Sequence, residues 1–589
     1  MGGSNTVFGT KASINDYADT VIQYQDVLSW THGKHNTRFG FQGWRLRMNG
    51  IFPGNSGNAG QFQFNGQYSG SAESDFLLGL PAQIGVGLPG PVWGQRGNIF
   101  AAFVQDDWRL TPKLTLNLGL RYEIHTAWYE VQNKQVNWDA WTGQLELPGV
   151  NGMNRALYNT YNGIYNWQPR LGFAYQLYPN TVIRAGFSMS TFMEGTGQGL
   201  RLPENPPASK DTAVDYRALP YPRSTLDQGF GAATLPNQCT LAGLATASPL
   251  CYNGAVLRVW DHNIQPAASS QWNLFVEQQV TPNTTFSIGY VGQTARHLTT
   301  AENLSQLQLL PNGTTAPSPY FAGNQPVVSQ GVLLLATYTP SNQNYNALQV
   351  SLQGRDWHGL SYMLNYTWSH CLTNSVGFFG EGGQSASQSA WWQNQYDPHA
   401  DYGSCYFDVK SVFTGYVVYY LPFGHGQAYA NNLNKVANAF VDGWRVTAIP
   451  TFRNGFPLTL SAANDESGTG TFAPRPNCIA PPNVVNRPAT QTLGIQWFDP
   501  SSYAEPSAGT FGNCSVSSVR GPGMANIDLG VAKMFKVTES QSIEFRTEFL
   551  NAFNHPIFDA PNNTIGSNMG VISKSEGARN IQFALKYNF

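Results

Sequence analysis

Three side chains in one polar segment have the residue types and the spacing of metal ligands. Asp397, His399 and Asp401 occupy alternate positions in the sequence DPHAD. Alternate side chains of an extended segment point the same way, and carboxylate and imidazole groups together bind divalent metals. The sequence places no fourth ligand beside them, however, and Asp-Pro commonly begins a turn. The segment is therefore expected to be a polar loop without a metal.

A second set of charged side chains alternates near the C-terminus. Glu544, Arg546 and Glu548 are two residues apart, so neighbouring members are separated by about 6.6 Å along a strand. Such a spacing is compatible with acid and base carboxylates, but no substrate-binding pattern surrounds them. The chain has no Gly-x-Ser-x-Gly, Gly-x-x-x-x-Gly-Lys-Ser/Thr or His-Glu-x-x-His sequence. Neither catalysis nor a cofactor is expected.

Aromatic residues close to the DPHAD segment could form a ligand surface. Trp391, Trp392 and Tyr396 follow a stretch rich in Gly, Ser and Gln. Rings of this kind can stack on a sugar or on an aromatic ligand. Packing between loops would use the same side chains and is the preferred interpretation, with ligand stacking as the alternative.

The composition of the 589-residue chain limits the elements that can position these residues. Charged residues make up 12%, about half of the roughly 25% that is usual in soluble domains. The net charge is −2, which argues against a nucleic-acid partner because a basic excess is needed to neutralise phosphates. No apolar run approaches the roughly 18 to 20 residues of a membrane-spanning helix. The 13% of aromatic residues argues against disorder.

Alternation of apolar and polar residues is the main structural signal of the chain. From Leu114 to Ile124 every second residue is Leu, Tyr or Ile, and the same pattern recurs at 170–177, 360–368 and 582–589. Asp106 is an exception, because it falls on an apolar face. The pattern predicts about fifteen strands. They start near residues 20, 36, 98, 114, 170, 181, 271, 284, 345, 360, 410, 441, 525, 541 and 579.

The connections between these strands alternate between short and long. Tight polar turns at 31–35, 111–113, 178–180, 281–283, 355–359 and 537–540 are separated by long stretches rich in Gly, Asn, Ser and Pro. Soluble domains rarely carry so many long loops. A transmembrane antiparallel β-barrel instead has short turns on one side, long extracellular loops on the other and strands of about 9 to 11 residues.

The barrel is therefore the preferred all-β fold, with a soluble sandwich, propeller or solenoid as the alternative, since half-buried soluble strands also alternate. In a barrel the apolar faces contact lipid and the polar faces line the lumen. The polar residues expected to face the lumen are Arg121, Glu123, Glu277, Glu544, Arg546 and Glu548.

Six cysteines lie in or beside the long loops, two to a loop. Six cysteines allow 15 pairings, of which only one keeps every bridge inside a single loop. The expected bridges are Cys239–Cys251, Cys371–Cys405 and Cys478–Cys514. They imply an oxidising compartment. Metal binding is the alternative, but no Cys-x-x-Cys pair with zinc spacing is present.

Several longer segments resemble a single family. They are WTHGKHNTRFGFQ, FVQDDWRLTPKLTLNLGLRYE, DYGSCYFDVKSVFTGYVVYYLPFGHG, DGWRVTAIPTFRNGFPLTL and a C-terminal stretch with RGPG and FLNAFNHP. Together these segments resemble the β-barrel of Oar-like TonB-dependent outer-membrane receptors over nearly the whole chain. RGPG and FLNAFNHP, at their distance from the C-terminal Phe589, are the more specific of them.

This resemblance implies an architecture and a set of partners. A complete member has a signal peptide, often a small β-sandwich, a plug domain and a barrel of about 22 strands. The periplasmic protein TonB pulls on a segment before the plug, and the inner-membrane proton gradient drives uptake. Residues 1–589 show no signal peptide, plug or coupling segment, so they are expected to be a partial barrel of about 15 to 16 strands. Phe583, Leu585, Tyr587 and Phe589 resemble the signal read by the barrel-assembly machinery.

Three functions remain as hypotheses. The first is a TonB-dependent receptor in the outer membrane of a Gram-negative cell, which takes up a small molecule, peptide or glycan. The second is an outer-membrane surface protein with a role in adhesion or export. The third is a secreted soluble all-β protein that acts on carbohydrates. A plug encoded upstream would favour the first over the second, and solubility without detergent would favour the third.

Overall fold

The wall of the protein is a single large β-sheet. A computed structural model describes residues 6–7, 16–52, 57, 59–88, 92–139, 144–192, 202–205, 210–215, 225–229, 256–319, 333–375, 391–489 and 494–589. Eighteen strands of this part form the sheet, and three of them, Tyr129–Glu130, Val256–Trp260 and Gly403–Ser404, are short additions. The other fifteen are Asp16–His32 (β1), His35–Ile51 (β2), Trp93–Thr111 (β3), Leu114–His125 (β4), Trp167–Tyr178 (β5), Thr181–Phe192 (β6), Ala267–Thr281 (β7), Thr284–Asn303 (β8), Leu333–Trp357 (β9), Leu360–Thr373 (β10), Ser411–Tyr420 (β11), Trp444–Arg453 (β12), Met524–Lys536 (β13), Ser542–Leu550 (β14) and Asn580–Asn588 (β15).

These fifteen strands follow one another around the sheet in chain order. Each pairs antiparallel with the next, from β1 with β2 to β14 with β15. The predicted alternation of short turns and long loops is present, although the connection 421–443 in a short-turn position is longer and contains a helix. Among the described residues β1 and β15 form no ladder with each other, so each is an edge of the sheet.

The β9–β10 turn shows how local sequence fixes these hairpins. His358 and Gly359 both have positive φ, 50° and 82°, as a tight two-residue hairpin turn requires. A Cβ atom at Gly359 would lie 2.8 Å from the carbonyl oxygen of Tyr420. Glycine is therefore needed at this position for its conformation and for the space it leaves.

The register places the predicted apolar and polar stripes on opposite faces of the wall. Arg121 is paired with Phe103 and Gln168, whereas Leu118 is paired with Asp106 and Leu171. The apolar stripe lies on the outside. Leu118 is 40% exposed, and exposure reaches 50% at Leu171 and 74% at Leu585. A soluble sandwich would bury this stripe between two sheets, so the exposed stripe contradicts the soluble alternative.

Asp106, the predicted exception on the apolar face, has polar partners on the neighbouring strand. The Thr37 hydroxyl donates to one carboxylate oxygen at 3.0 Å, and Nδ1 of His35 lies 2.7 Å from the other. These contacts lie near the short turns, beside Trp108. A charge there is satisfied within the protein and close to the membrane boundary, where it costs little.

The prediction of 9 to 11 residues per strand is wrong for much of the wall. β14 and β15 have 9 residues each, but β3 has 19, β8 has 20 and β9 has 25. The long strands remain paired because their neighbours continue beside them on the long-loop side. The wall therefore extends beyond the thickness of the apolar band there.

The long connections contain small elements of their own. Two α-helices are described, Ala72–Leu77 (α1) and Lys435–Val441 (α2), and neither has the length to cross a membrane. Single 3₁₀ turns cover Ile164–Asn166, Leu202–Glu204, Leu226–Gln228, Pro398–Asp401 and Pro500–Ser502. Short strands pair in separate sheets: Thr6–Val7, Gln61–Phe64, Gln83–Leu88 and Lys210–Asp215; Asn137–Asp139 and Gln144–Glu146; Gln308–Leu309 and Thr315–Ala316; Pro457–Leu458 and Val519–Arg520; Asn477–Cys478 and Tyr503–Ala504; Val484–Pro488, Ile495–Phe498 and Val571–Ile572; Ile557–Phe558 and Ser575–Glu576.

The dry core of the protein lies on the long-loop side of the wall. One hydrophobic cluster contains Met48, Trp93, Trp128, Ala156, Leu157, Tyr158, Leu202, Trp260 and Ile264. A second contains Leu460, Phe498, Tyr503, Cys514, Val519 and Met569. Because these residues come from several connections, the loops pack against one another through apolar contacts.

Candidate functional site

A polar cluster on the lumen face joins β2 and β4. The Arg121 guanidinium donates to Glu123 Oε2 at 2.9 Å from Nε and to Gln42 Oε1 at 2.7 Å from Nη1. His125 Nε2 lies 3.0 Å from the other Glu123 oxygen. The guanidinium also lies 5.8 Å from the ring centroid of Trp44. The side chains of Arg121 and Glu123 are only 13% and 12% exposed, so these contacts hold them in fixed positions.

This cluster forms one side of a cavity of about 600 Å³ on the lumen face. The cavity extends from β1 to β6, and its lining includes Arg38, Gln42, Trp44, Gln105, Arg121 and Arg170. Three guanidinium groups and the amides of three glutamines offer hydrogen-bond donors, Glu123 adds a carboxylate that is paired with Arg121, and Trp44 adds an apolar face. The cavity can therefore hold a group rich in acceptor oxygens.

The other predicted lumen carboxylates also have arginine partners. Glu277 on β7 faces Arg184 on β6 at 3.2 Å. Glu544 lies 3.2 Å from Arg445 on β12, and Glu548 lies 3.0 Å from Nε of Arg546. All of these residues share the lumen face through the strand register. Each of these carboxylates therefore has a guanidinium counter-charge on the lumen face.

Two disulfides hold the outer loops. Cys371 and Cys405 have Cα atoms 5.4 Å apart, and those of Cys478 and Cys514 are 5.0 Å apart. Both bridges match the pairing derived from one bridge per loop. The remaining pair, Cys239–Cys251, lies outside the described residues and stays a prediction.

Two ion pairs connect the loop 374–410 to the loop 454–523. Arg475 pairs with Asp401, and their side chains are 4% and 6% exposed. Arg520 pairs with Asp408, whose side chain is 1% exposed. Burial raises the pKa of Asp401, while the charge of Arg475 and its hydrogen bond act in the opposite direction. Gln393 adds a third contact between the two loops, because its side-chain nitrogen Nε2 donates to Gly512 O at 3.0 Å.

The aromatic residues near DPHAD pack against neighbouring loops. Trp392 is buried and donates from Nε1 to Asn374 O at 2.7 Å. The Tyr396 hydroxyl donates to Gln306 O at 2.5 Å, and the Trp391 ring meets Phe472 edge-on with centroids 5.2 Å apart. These contacts correspond to the packing interpretation, and ligand stacking stays a prediction for the exposed part of Trp391. In the part of the chain described, no three His, Cys, Asp or Glu side chains are arranged to hold a metal ion.

The two most specific segments of the resemblance, RGPG and FLNAFNHP, make contacts that hold loops and a turn in place. Arg520, in RGPG, bonds to Asp408 and to Gly455 O across two loops. Asn551, in FLNAFNHP, accepts from His555 N at 2.9 Å and donates to His555 O at 2.8 Å, which closes the turn after β14. Sequence reasoning singled out these segments without assigning a role to them. The available signals were an Arg followed by Gly-Pro-Gly and two Asn residues three positions apart.

The Cys478–Cys514 bridge gives a testable stability effect. Replacing both residues by Ser is expected to destabilise the loop 454–523 by about 2 kcal/mol, because a cross-link spanning 36 residues no longer restricts the unfolded loop. Proteinase K should then cleave this loop faster in protein purified in detergent, with the sites read by mass spectrometry. Ser507→Ala, in the same loop, is the control. Equal cleavage rates in the double variant and the control would contradict the expectation.

The chain was compared with curated protein sequences and with solved structures. No curated protein sequence matches the chain. Similar solved structures include the ferric-catecholate import receptor Fiu from E. coli K12, with 10% identity, a TM-score of 0.42 and coverage of 98% of this chain and 55% of that one. FpvA from P. aeruginosa, solved with heterologous pyoverdines, has 9% identity, a TM-score of 0.46 and coverage of 100% and 52%. The ferric yersiniabactin uptake receptor FyuA from Yersinia pestis has 9% identity, a TM-score of 0.43 and coverage of 99% and 57%.

The chain thus spans about half the length of the solved structures it matches. The sequence profile of the outer membrane beta barrel domain family matches residues 1–582. This match agrees with the antiparallel wall, its exposed apolar stripe and its polar inner face, and it locates the protein in the outer membrane. The chain belongs to the outer membrane beta barrel domain family.

Proposed function

We propose that the chain forms the barrel wall of a TonB-dependent receptor, which binds a small molecule, peptide or glycan at the cell surface and admits it through the lumen. The observation that carries this proposal is the polar cavity of about 600 Å³ on the lumen face. Its guanidinium and amide donors suit a ligand, or a plug surface, that presents carboxylate, phosphate or hydroxyl oxygens. The proposal assigns the chain a binding and transport function and no catalytic activity.

The proposal includes further strands beyond those described. The free backbone groups of β1 and β15 would meet lipid unless another strand paired with them. In an antiparallel sheet with an odd number of strands the two edge strands run in the same direction. Antiparallel closure then needs an odd number of additional strands, and about seven would give the 22 of a large outer-membrane transporter.

Partners follow from the same proposal. TonB would act through a plug region that precedes the wall, and the barrel-assembly machinery would read the last strand. Phe583, Leu585 and Tyr587 form an outward-facing row on β15, 67%, 74% and 51% exposed, and Phe589 is 94% exposed. An exposed apolar row at one edge of the sheet is accessible to another protein before the wall closes.

Uptake by cells carrying the complete gene tests this function. Culture medium should lose a specific solute in the presence of the gene, and this loss should stop when the energy-coupling protein is deleted. Mass spectrometry of the medium identifies the solute. Uptake that persists without the coupling protein would contradict the proposal, and so would a gene that encodes no plug.

A surface role in adhesion is the second candidate. It is favoured by the outer loops, which have their own hydrophobic cluster, disulfides and buried ion pairs. A loop with a core of its own can present a fixed surface to another cell or to a matrix. Cells that adhere through this protein but show no dependent uptake would favour this role over transport.

A further inference from the structure

A second, smaller cavity lies on the long-loop side of the wall. Its volume is about 360 Å³, and it lies between the turn 261–265, the end of β8 and the adjoining part of β9. Its lining includes Asp261, Gln265, His297, Glu302, Tyr338 and Thr339. Two of these side chains are carboxylates, and none is Lys or Arg.

The backbone is irregular where β8 and β9 meet this cavity. The pairing shifts register between Ala295 and Leu298 and again between Leu298 and Thr300. His297 has a φ of 58°, in the left-handed region that few residues other than glycine adopt, although His does so more often than most. Bulges redirect side chains and are common beside binding sites. Here the ring of His297 meets that of Tyr165, with centroids 5.0 Å apart.

The cavity is outside the membrane. A strand crosses the bilayer with about 9 to 11 residues. Thr284 begins β8 at a short turn, and Glu302 is the last residue but one of this 20-residue strand. At about 3.3 Å per residue, Glu302 lies roughly 60 Å along the strand from that turn. Ligands in the surroundings of the cell can therefore reach it.

Glu302 is the side chain in this cavity that most needs a partner. It is partly buried, and among the described residues no group donates a hydrogen bond to it. Burial, and to a smaller extent the charge of Asp261, raises the pKa of Glu302 to about 7. A carboxylate partly withdrawn from water without a counter-charge is costly, so a positive charge placed beside it would be favoured.

The other groups around the cavity are compatible with a cation. Burial lowers the pKa of His297, a hydrogen bond with the Thr339 backbone raises it, and the nearby Arg296 lowers it again. The net shift is downward and favours the neutral imidazole, which does not repel a positive ligand. A metal ion is a poor candidate, because no described group of three His, Cys, Asp or Glu side chains has the arrangement for one.

We propose that this outer cavity binds a compact organic cation, an ammonium or guanidinium group, between Glu302 and Asp261. The site is separate from the lumen cavity, since the two share no lining residue among those described. It requires neither TonB nor uptake. Loss of uptake in the transport experiment would therefore leave this binding intact, and the two proposals can fail independently.

Calorimetric titration of the chain in detergent micelles with n-butylammonium chloride tests the site. Saturable one-to-one binding is expected, and Glu302→Gln should weaken it about tenfold or more, because the buried charge that pairs with the ligand is removed. Asp261→Asn should weaken it less. Glu576→Gln, at an exposed acidic residue of another outer loop, is the matched control and should bind as the unmodified chain does.

The pH dependence and a neutral probe complete the test. Binding needs the ionised carboxylate, so affinity should rise with pH up to about 7, where Glu302 titrates, and level off above it. In Glu302→Gln this rise should disappear. The proposal is overturned if the unmodified chain does not bind, if Glu302→Gln binds equally well, or if n-butanol binds as tightly as n-butylammonium. If Glu302→Gln does not fold, Asp261→Asn decides the outcome by the same criteria.

Discussion

Replacing Asp401 by Ala is expected to lower the free energy of unfolding of the outer loops by about 3 to 5 kcal/mol, because a buried guanidinium is left without its counter-charge. The Arg475 side chain is 4% exposed, so water cannot take the place of the lost carboxylate. The backbone N–H of Gln393 also loses its acceptor, Asp401 Oδ2, which lies 3.2 Å away. Denaturant titration followed by hydrogen exchange in residues 391–410 and 454–489 measures the effect.

Two further variants show whether burial is the cause. Arg38→Ala removes a lumen pair with a separation of 3.5 Å, in which the Arg38 side chain is 48% exposed. It is expected to cost no more than about 1 kcal/mol. Asp401→Leu combined with Arg475→Met removes both charges and should recover much of the lost stability. A cost for Asp401→Ala as small as that for Arg38→Ala would show that the pair is not buried as described.

Leu274→Arg is expected to lower folding stability in a bilayer by about 2 to 4 kcal/mol, since it places a charge in the apolar band. Leu274 is 49% exposed on the outer face of β7, between Ala185 and Tyr290 on the adjacent strands. It is seven residues from Thr281 at the short turn, near the middle of the apolar band. Unfolding in urea from lipid vesicles, followed by the mobility of unheated protein on gels, measures the loss.

The neighbouring residue provides the matched control. Asn273 lies on the lumen face, between Gly186 and Val291. Asn273→Arg introduces the same side chain one position away and should change stability by about 1 kcal/mol or less, because the lumen admits water. Equal losses for the two variants would mean that the two faces of the wall do not differ in environment, and the assignment of the outer face to lipid would fail.

Much of the wall could be predicted from alternation alone. The segment Leu114 to Ile124 alternates without a break, and β4 occupies Leu114–His125. The face of the sheet on which each side chain of β4 lies could also be assigned. Side chains alternate with a period of two, so assigning one residue to a face assigns all the others. The turns could be predicted equally well, since Gly at positions such as Gly33 and Gly359 adopts positive φ readily.

The outer loops could not be predicted in the same way. Asp401 and Arg475 are 74 positions apart, and no periodicity connects them. Their contact depends on how two irregular loops pack, which is a tertiary property. The cysteines were the exception, because pairing within one loop leaves a single solution for Cys371–Cys405 and Cys478–Cys514. The long strands were underestimated for a related reason: above the membrane both faces are polar or locally buried, and the alternation that reveals a strand weakens.

The length of β9 changes what the outer part of this protein is exposed to. With 25 residues, a rise of about 3.3 Å per residue and a tilt of roughly 40°, it would climb about 60 Å, more than twice the apolar band. The upper half of such a strand has no acyl chains beside it. Its residue types are therefore limited by pairing with neighbouring strands and by packing against the loops, and no longer by contact with lipid.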